Sequence, residues 1–246
     1  MKRIKLIVSY DGTNYCGWQR QPNAVTVEGV INKYLSALLN EEIQIIGASR
    51  TDSGVHALGN VAVFDSETRI PAEKISYALN QRLPDDIVIQ KSEEVPLDFH
   101  PRHCECSKTY EYKILNAEFD IPTERLYSYF VYKELDLDRM KRAASYLVGE
   151  HDFKSFCSTA AEVETTVRTV NSIEIKKEGR ILHIFVNGNG FLYNMVRIIV
   201  GTLVQVGLGR IDPDNVKEIL KARDRAKAGP TAPAHGLRLN AIIYRN

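Results

Sequence analysis

The stretch IKLIVSYDGTNYCGWQRQPNAVTVEGVINKYLSALL, residues 4–39, decides the fold. It opens with Ile4, Leu6, Val8 and Tyr10 alternating with Lys5, Ile7 and Ser9, the period of a strand with one buried face. A Gly-rich polar loop follows. Thr26 then offers a hydroxyl to cap a helix, in which Val27, Val30, Ile31, Tyr34, Leu35, Leu38 and Leu39 form the apolar side. Strand patterns return at 43–48 and near 60–65. Pro71 suits the first turn of a second helix containing Ile75, Ala78 and Leu79, and DIVIQK at 86–91 reads as another strand. The first half is therefore β-α-β-β-α-β.

The second half reads as a repeat of that order. Thr109, Glu111, Lys113 and Leu115 alternate with Tyr110, Tyr112 and Ile114, a strand. A helix near 138–148 carries Met140, Ala143, Ala144, Leu147 and Val148, with Gly149 to stop it. Strands near 170–177 and 181–187 flank a turn at Glu178 and Gly179. Two helices follow, the second starting at Asp212 and Pro213, and a last strand spans 238–244. The expected class is α+β: two ferredoxin-like, RRM-like halves with antiparallel sheets and a cleft between them. The boundary falls near 100–106. Residues 1–103 are expected to form an N-terminal domain and 104–246 a C-terminal domain completing the cleft.

Composition constrains function less. The 246 residues are 44% apolar, and 32 basic against 31 acidic side chains leave a net charge of +1. A nucleic-acid surface would have to come from local clustering of basic groups. Four cysteines are too few for a disulfide scaffold in a chain of this length, so a reducing compartment is expected. The basic start is followed by an apolar run too short for a signal peptide. FLYNMVRIIVGTLVQVG at 191–207 contains Asn194, Arg197 and Gln205 and falls short of a span of about 20 residues. The expectation is a soluble, cytoplasmic protein with no membrane partner.

The densest polar cluster is Ser49, Arg50, Thr51, Asp52, Ser53, Gly54, Val55 and His56, in a loop between strands. Arg50 is placed to keep Asp52 ionised, and an ionised carboxylate serves as nucleophile or base. Spacing alone fits a polar surface turn slightly better. Arg197 lies in a helix apolar nearly all round, so it needs an anionic or carbonyl partner; Asp52 and an RNA phosphate are candidates. Tyr110 and Tyr112 share a strand face that could carry a nucleobase, with Lys108 nearby for a phosphate. Trp18 and Arg20, with two glutamines, suit a nucleic-acid strand, and KARDRAK at 221–227 offers basic groups. His100, His103, Cys104 and Cys106 lie close in sequence, but no second ligand pair follows, so no metal site is expected. NGNG at 187–190 lacks the third glycine of a dinucleotide fingerprint.

Taken in order, YDGTNYCGWQRQ at 10–21, SRTDSGVHA at 49–57, FHPRHCECSKTYEY at 99–112, HDFKSF at 151–156, FLYNMVRIIVGTL at 191–203 and APAHGLRLNAIIY at 232–244 resemble the tRNA pseudouridine synthase A family. The resemblance covers nearly the whole chain. It implies isomerisation of uridine to pseudouridine at positions 38–40 of the tRNA anticodon stem-loop by a homodimer. The isomerisation neither oxidises nor adds an atom, so no cofactor is expected. It places the catalytic aspartate at Asp52, its arginine partner at Arg197, with Arg50 assisting, and the base-packing tyrosine at Tyr110. Lys108, Arg20, Trp18 and His56 are taken as substrate-binding residues. The family usually has glycine at Ser49, alanine at Ser53 and alanine at Pro101, and its pattern lacks Cys104 and Cys106. The rival is a non-catalytic RNA-binding protein with two RRM-like halves, which leaves a carboxylate at Asp52 without purpose.

Overall fold

Residues 1–158 and 164–245 are described by the computed structural model. They form ten strands and five α-helices in a mixed α+β arrangement with mostly antiparallel pairing. Contacts divide the chain into two compact units. One is Met1–Cys106 with the C-terminal stretch from Arg238, and the other is Ser107–Leu237.

In the first unit, β1 (Lys2–Tyr10) buries every second residue, as its alternation predicts: Ile4, Leu6, Val8 and Tyr10 all enter the core. It lies between β3 (His56–Ser66) and β4 (Ile87–Val95), antiparallel to both. Helix α1 (Val27–Leu39) starts where expected, with Thr26 Oγ1 accepting from Gly29 N. It buries Val27, Ile31 and Leu35, one stripe at four-residue spacing. Burial of each such side chain contributes roughly 1.5–3 kcal/mol. Helix α2 (Ala72–Asn80) has Pro71 just before it, not within its first turn.

Two strands differ from expectation. The segment 43–48 pairs with β3 only at β2 (Ile46–Gly47). The preceding backbone is bonded to α1 instead: Ile43 N donates to Ser36 Oγ at 2.9 Å and Ile45 N to Asn32 Oδ1 at 2.9 Å. In contrast β3 runs longer than 60–65, beginning at His56.

The second unit is built on β5 (Cys106–Asn116). The short strand β6 (Tyr129–Val131) runs parallel to it. Helix α3 (Leu137–Ser145) ends before Gly149, which instead opens β7 (Gly149–Asp152) at φ +113°. Strands β8 (Val167–Glu178) and β9 (Ile181–Gly188) form the expected hairpin, with Gly179 at φ +59° in its turn. The antiparallel order is β5-β9-β8-β7. Helix α4 (Met195–Gly207) is buried nearly all round, leaving Arg197 and Gln205 half-exposed. Helix α5 (Asn215–Ala222) begins after the Asp212–Pro213 pair, not at it.

The second half is therefore no plain repeat of the first. Strands β6 and β7 are additions. The last strand, β10 (Leu237–Tyr244), joins the first unit by parallel pairing of Arg238 with His56 and Leu239 with Ala57.

Candidate active site

Asp52 lies in the loop that leaves β2 and enters β3, and it is half-buried. The loop is a tight turn: Val55 N donates back to the Asp52 carbonyl at 3.1 Å, and Gly54 takes φ +76°. A type II turn demands that positive φ at its third position, which glycine supplies without strain. Ser53 is exposed there, its hydroxyl donating to Tyr15 O at 3.2 Å.

The loop after β1 clamps this turn. Trp18 N donates to Thr51 O at 3.0 Å, and Gly54 N to Tyr15 O at 3.3 Å. The Tyr10 and Thr51 hydroxyls share a buried hydrogen bond of 2.7 Å. A Cβ at Gly12 would fall 2.0 Å from Val55 O, and one at Gly17 2.6 Å from Thr51 O. These glycines let two backbones touch. Tyr15 ties the loop to the start of β4, donating its hydroxyl to Asp86 Oδ1 at 2.5 Å. Burial and Asp86 together push the Tyr15 phenol well above its ordinary range.

Two expected RNA contacts are parts of this clamp. Trp18 is 1% exposed, its indole against Gly47 and its ring 5.8 Å from Tyr10, so it cannot stack on a base. His56 is buried, and its Nδ1 accepts the Gly12 N–H at 3.0 Å. Asp11 Oδ1 lies 3.1 Å from the same Nδ1. That oxygen also accepts from the Thr13 amide and hydroxyl. Arg50 and Arg20 are exposed on the same unit. Arg20 is held by its backbone, whose N–H donates to Glu28 Oε2 at 2.7 Å.

The second unit holds the remaining candidates. Tyr110 and Tyr112 share one face of β5, as their spacing predicts. Tyr110 is 9% exposed and meets Phe191 edge-on at 5.2 Å, while Tyr112 is fully buried. The Tyr112 hydroxyl donates to Pro233 O at 2.8 Å, and burial drives its pKa far up against the opposing charge of Arg197. Lys108 is half-buried on β5, opposite Gly188. Arg197 is pinned at the start of α4: Nε donates to Ala232 O at 2.8 Å and Nη1 to Asn194 Oδ1 at 2.7 Å. Ala232 N returns a bond to the Arg197 carbonyl at 3.1 Å. The segment can lie this close because residue 201 is glycine; a Cβ there would overlap Pro230 O.

Other sequence features resolve into structure. Arg223 pairs with Asp152 at 3.0 Å and Lys221 with Glu218 at 2.9 Å, while Arg225 Nη1 reaches the Gly229 carbonyl at 2.9 Å, so much of KARDRAK is engaged within the protein. The His100 and His103 rings lie 4.1 Å apart, but among the described residues no three His, Cys, Asp or Glu side chains group to hold a metal. Sequence reasoning placed Thr51 in the polar cluster without a role of its own, and did not single out Tyr10, Arg102 or Phe191 as site residues. Tyr10 read as one more buried alternation, and Phe191 as part of an apolar run.

A profile of the family described as tRNA pseudouridine synthase matches residues 6–103 and 143–245. The tRNA pseudouridine synthase A of Thermoanaerobacter sp. (strain X514) is 52% identical over 244 residues, covering 99% of this chain and 100% of the relative. That of Acetivibrio thermocellus is 49% identical at the same coverage. A chain of the archaeal box H/ACA sRNP Nop10–Cbf5 complex aligns over 97% of this chain and 46% of its own, at 12% identity and a TM-score of 0.36, too slight a likeness to add weight. On the profile match and these full-length identities, the chain belongs to the tRNA pseudouridine synthase family.

Proposed function

We propose that this protein isomerises uridine to pseudouridine at positions 38–40 of the tRNA anticodon stem-loop, with Asp52 as the catalytic carboxylate. The observation that carries the reading is the clamped turn. A half-buried aspartate sits on a tight turn closed by Val55 N on its own carbonyl, and the backbone on either side, at Thr51 and Gly54, is held by Trp18 and Tyr15 from a second loop. Such preorganisation suits a group that must meet one atom of a substrate and is wasted on a surface turn.

The chemistry is an isomerisation. The bond from N1 of uracil to C1′ of ribose breaks, the uracil turns, and C5 bonds to C1′. The proton lost from C5 balances the one gained at N1. Asp52 acts as nucleophile or base at the reacting nucleoside. A paired uridine must first leave its stack, at a cost of a few kcal/mol. Tyr110 packs on the turned-out uracil, and Lys108 and Arg20 meet backbone phosphates. Arg197 and Arg50 keep Asp52 ionised and oriented. Arg197 is suited to that task because two other bonds already fix its guanidinium. The working form is a cytoplasmic homodimer. No helix in the described residues is long and apolar enough to cross a membrane.

The test is Asp52→Asn assayed on unmodified tRNA with the new pseudouridines mapped. Turnover should fall on the order of 10³-fold or more, while tRNA binding persists. Normal turnover by the variant would remove Asp52 from the chemistry, whereas no pseudouridine from the wild-type protein would leave RNA binding as the function.

A further inference from the structure

The HPRH stretch at 100–103 holds a cation that the reaction above does not use. Arg102 Nε donates to the Gly47 carbonyl at 2.9 Å. Gly47 ends β2, where the chain departs for the Asp52 loop. Its carbonyl has little freedom: a Cβ on Gly47 would come 2.2 Å from Trp18 Nε1, and the next amide, Ala48 N, donates to Val61 O at 2.7 Å. The fold thus fixes a guanidinium at the root of that loop, in a residue that stays exposed.

Arg50, three residues past Gly47, is exposed as well. Among the described residues Arg3, Arg142, Arg223 and Arg245 each meet a carboxylate. Neither Arg50 nor Arg102 forms a salt bridge there. The Arg102 pKa is depressed by partial burial first and by the charge of Arg50 second, with Glu28 opposing. The charge of Arg50 bears on the Arg102 guanidinium that Gly47 fixes, so an anion that meets both relieves that repulsion. A phosphodiester is the anion that an RNA strand brings, and a guanidinium fork matches its oxygens.

We infer that Arg102 and Arg50 together grip a backbone phosphate of the RNA next to the uridine addressed by Asp52. The inference rests on the proposed role of Asp52 for the location of that uridine. The grip positions the strand without reading its bases. Its signature is electrostatic: a phosphate contact releases counterions, so it adds close to one unit to the salt dependence of binding.

The experiment measures the dissociation constant of an unmodified tRNA transcript across a salt series, with pseudouridine formation followed in parallel. Arg102→Gln should weaken binding roughly tenfold and lower the slope of log Kd against log salt by about one unit. Arg102→Lys, which keeps the charge but loses the fork, should retain the slope. Arg82→Gln removes the same charge from an exposed position beyond α2 and should leave the slope at its wild-type value. A wild-type slope in Arg102→Gln overturns the inference, as does an equal fall in Arg82→Gln. So does lost turnover at saturating tRNA with the slope intact, because Arg102 would then only brace the loop. If the slope falls as expected but the wild-type protein forms no pseudouridine, the phosphate grip stands and the proposed reaction fails.

Discussion

Ser49 carries its hydroxyl into a buried position where it finds no hydrogen-bond partner, although its carbonyl accepts from Asn60 Nδ2 at 3.0 Å. Among the described residues it is not one of the four non-glycine residues with positive φ, so the glycine usual at this position in the family is not required by backbone geometry. What the site penalises is the hydroxyl. Leaving a buried polar group unpaired costs roughly 1–3 kcal/mol. Ser49→Ala should therefore stabilise the fold by about 1 kcal/mol after the small loss of packing, seen as a higher urea midpoint. A lower midpoint would mean that the hydroxyl is paired. Asp52 and Thr51 were legible beside it as a motif, but the fates of Trp18 and His56 were not. An indole and an imidazole look alike in sequence whether they face RNA or a glycine backbone. Only the packing of the indole on Gly47, where a Cβ would fall 2.2 Å from Nε1, and the Gly12 bond to Nδ1 make these two structural.

Among the elements, β1 and β3 were predicted by period, and the antiparallel register in which they pair adds a testable charge pair. Arg3 stands opposite Asp65 and donates twice to its carboxylate, at 2.8 and 2.7 Å. Those hydrogen bonds hold the Asp65 pKa below its ordinary 3.8. A carboxylate depressed in the folded state adds stability above its unfolded value and loses it as pH falls through the folded one. Asp65→Asn should accordingly lower stability by about 1 kcal/mol at neutral pH, the upper end for partly exposed pairs. Denaturant melts at decreasing pH should show the difference closing below 3.8. A difference that stays constant into acid would mean the loss is one of packing. The neighbouring β2 was overread for a physical reason. Its β-branched run, IQIIG, has strand character, but helix side chains Asn32 and Ser36 take the amide bonds of Ile45 and Ile43. Propensity cannot foresee such competition from another element.

At the scale of the whole molecule, the chain returns to its first unit at the end. Strand β10 adds beside β3, and Tyr244 near its end donates its hydroxyl to Pro101 O at 2.9 Å with its ring edge-on to Phe99 at 5.0 Å. The last strand thus secures the segment 99–101, just before β5 begins. Tyr244→Ala should destabilise the first unit by roughly 2–3 kcal/mol, less than for a fully buried aromatic. Trp18 is the sole tryptophan and lies in that unit, so its fluorescence during unfolding reads the effect. An unchanged Trp18 transition would show that β10 is dispensable to the unit. By itself the sequence determined the alternation of β1, the capped α1, the helix around Arg197 and the ordered motifs that carry family membership, because each is written in neighbouring residues. The tertiary structure decided that β10 closes the first unit, that Trp18 and His56 serve the clamp, and that Arg102 stands at the root of the Asp52 loop. Those outcomes depend on hydrogen bonds and close contacts between residues far apart in the chain, which local period and composition do not encode.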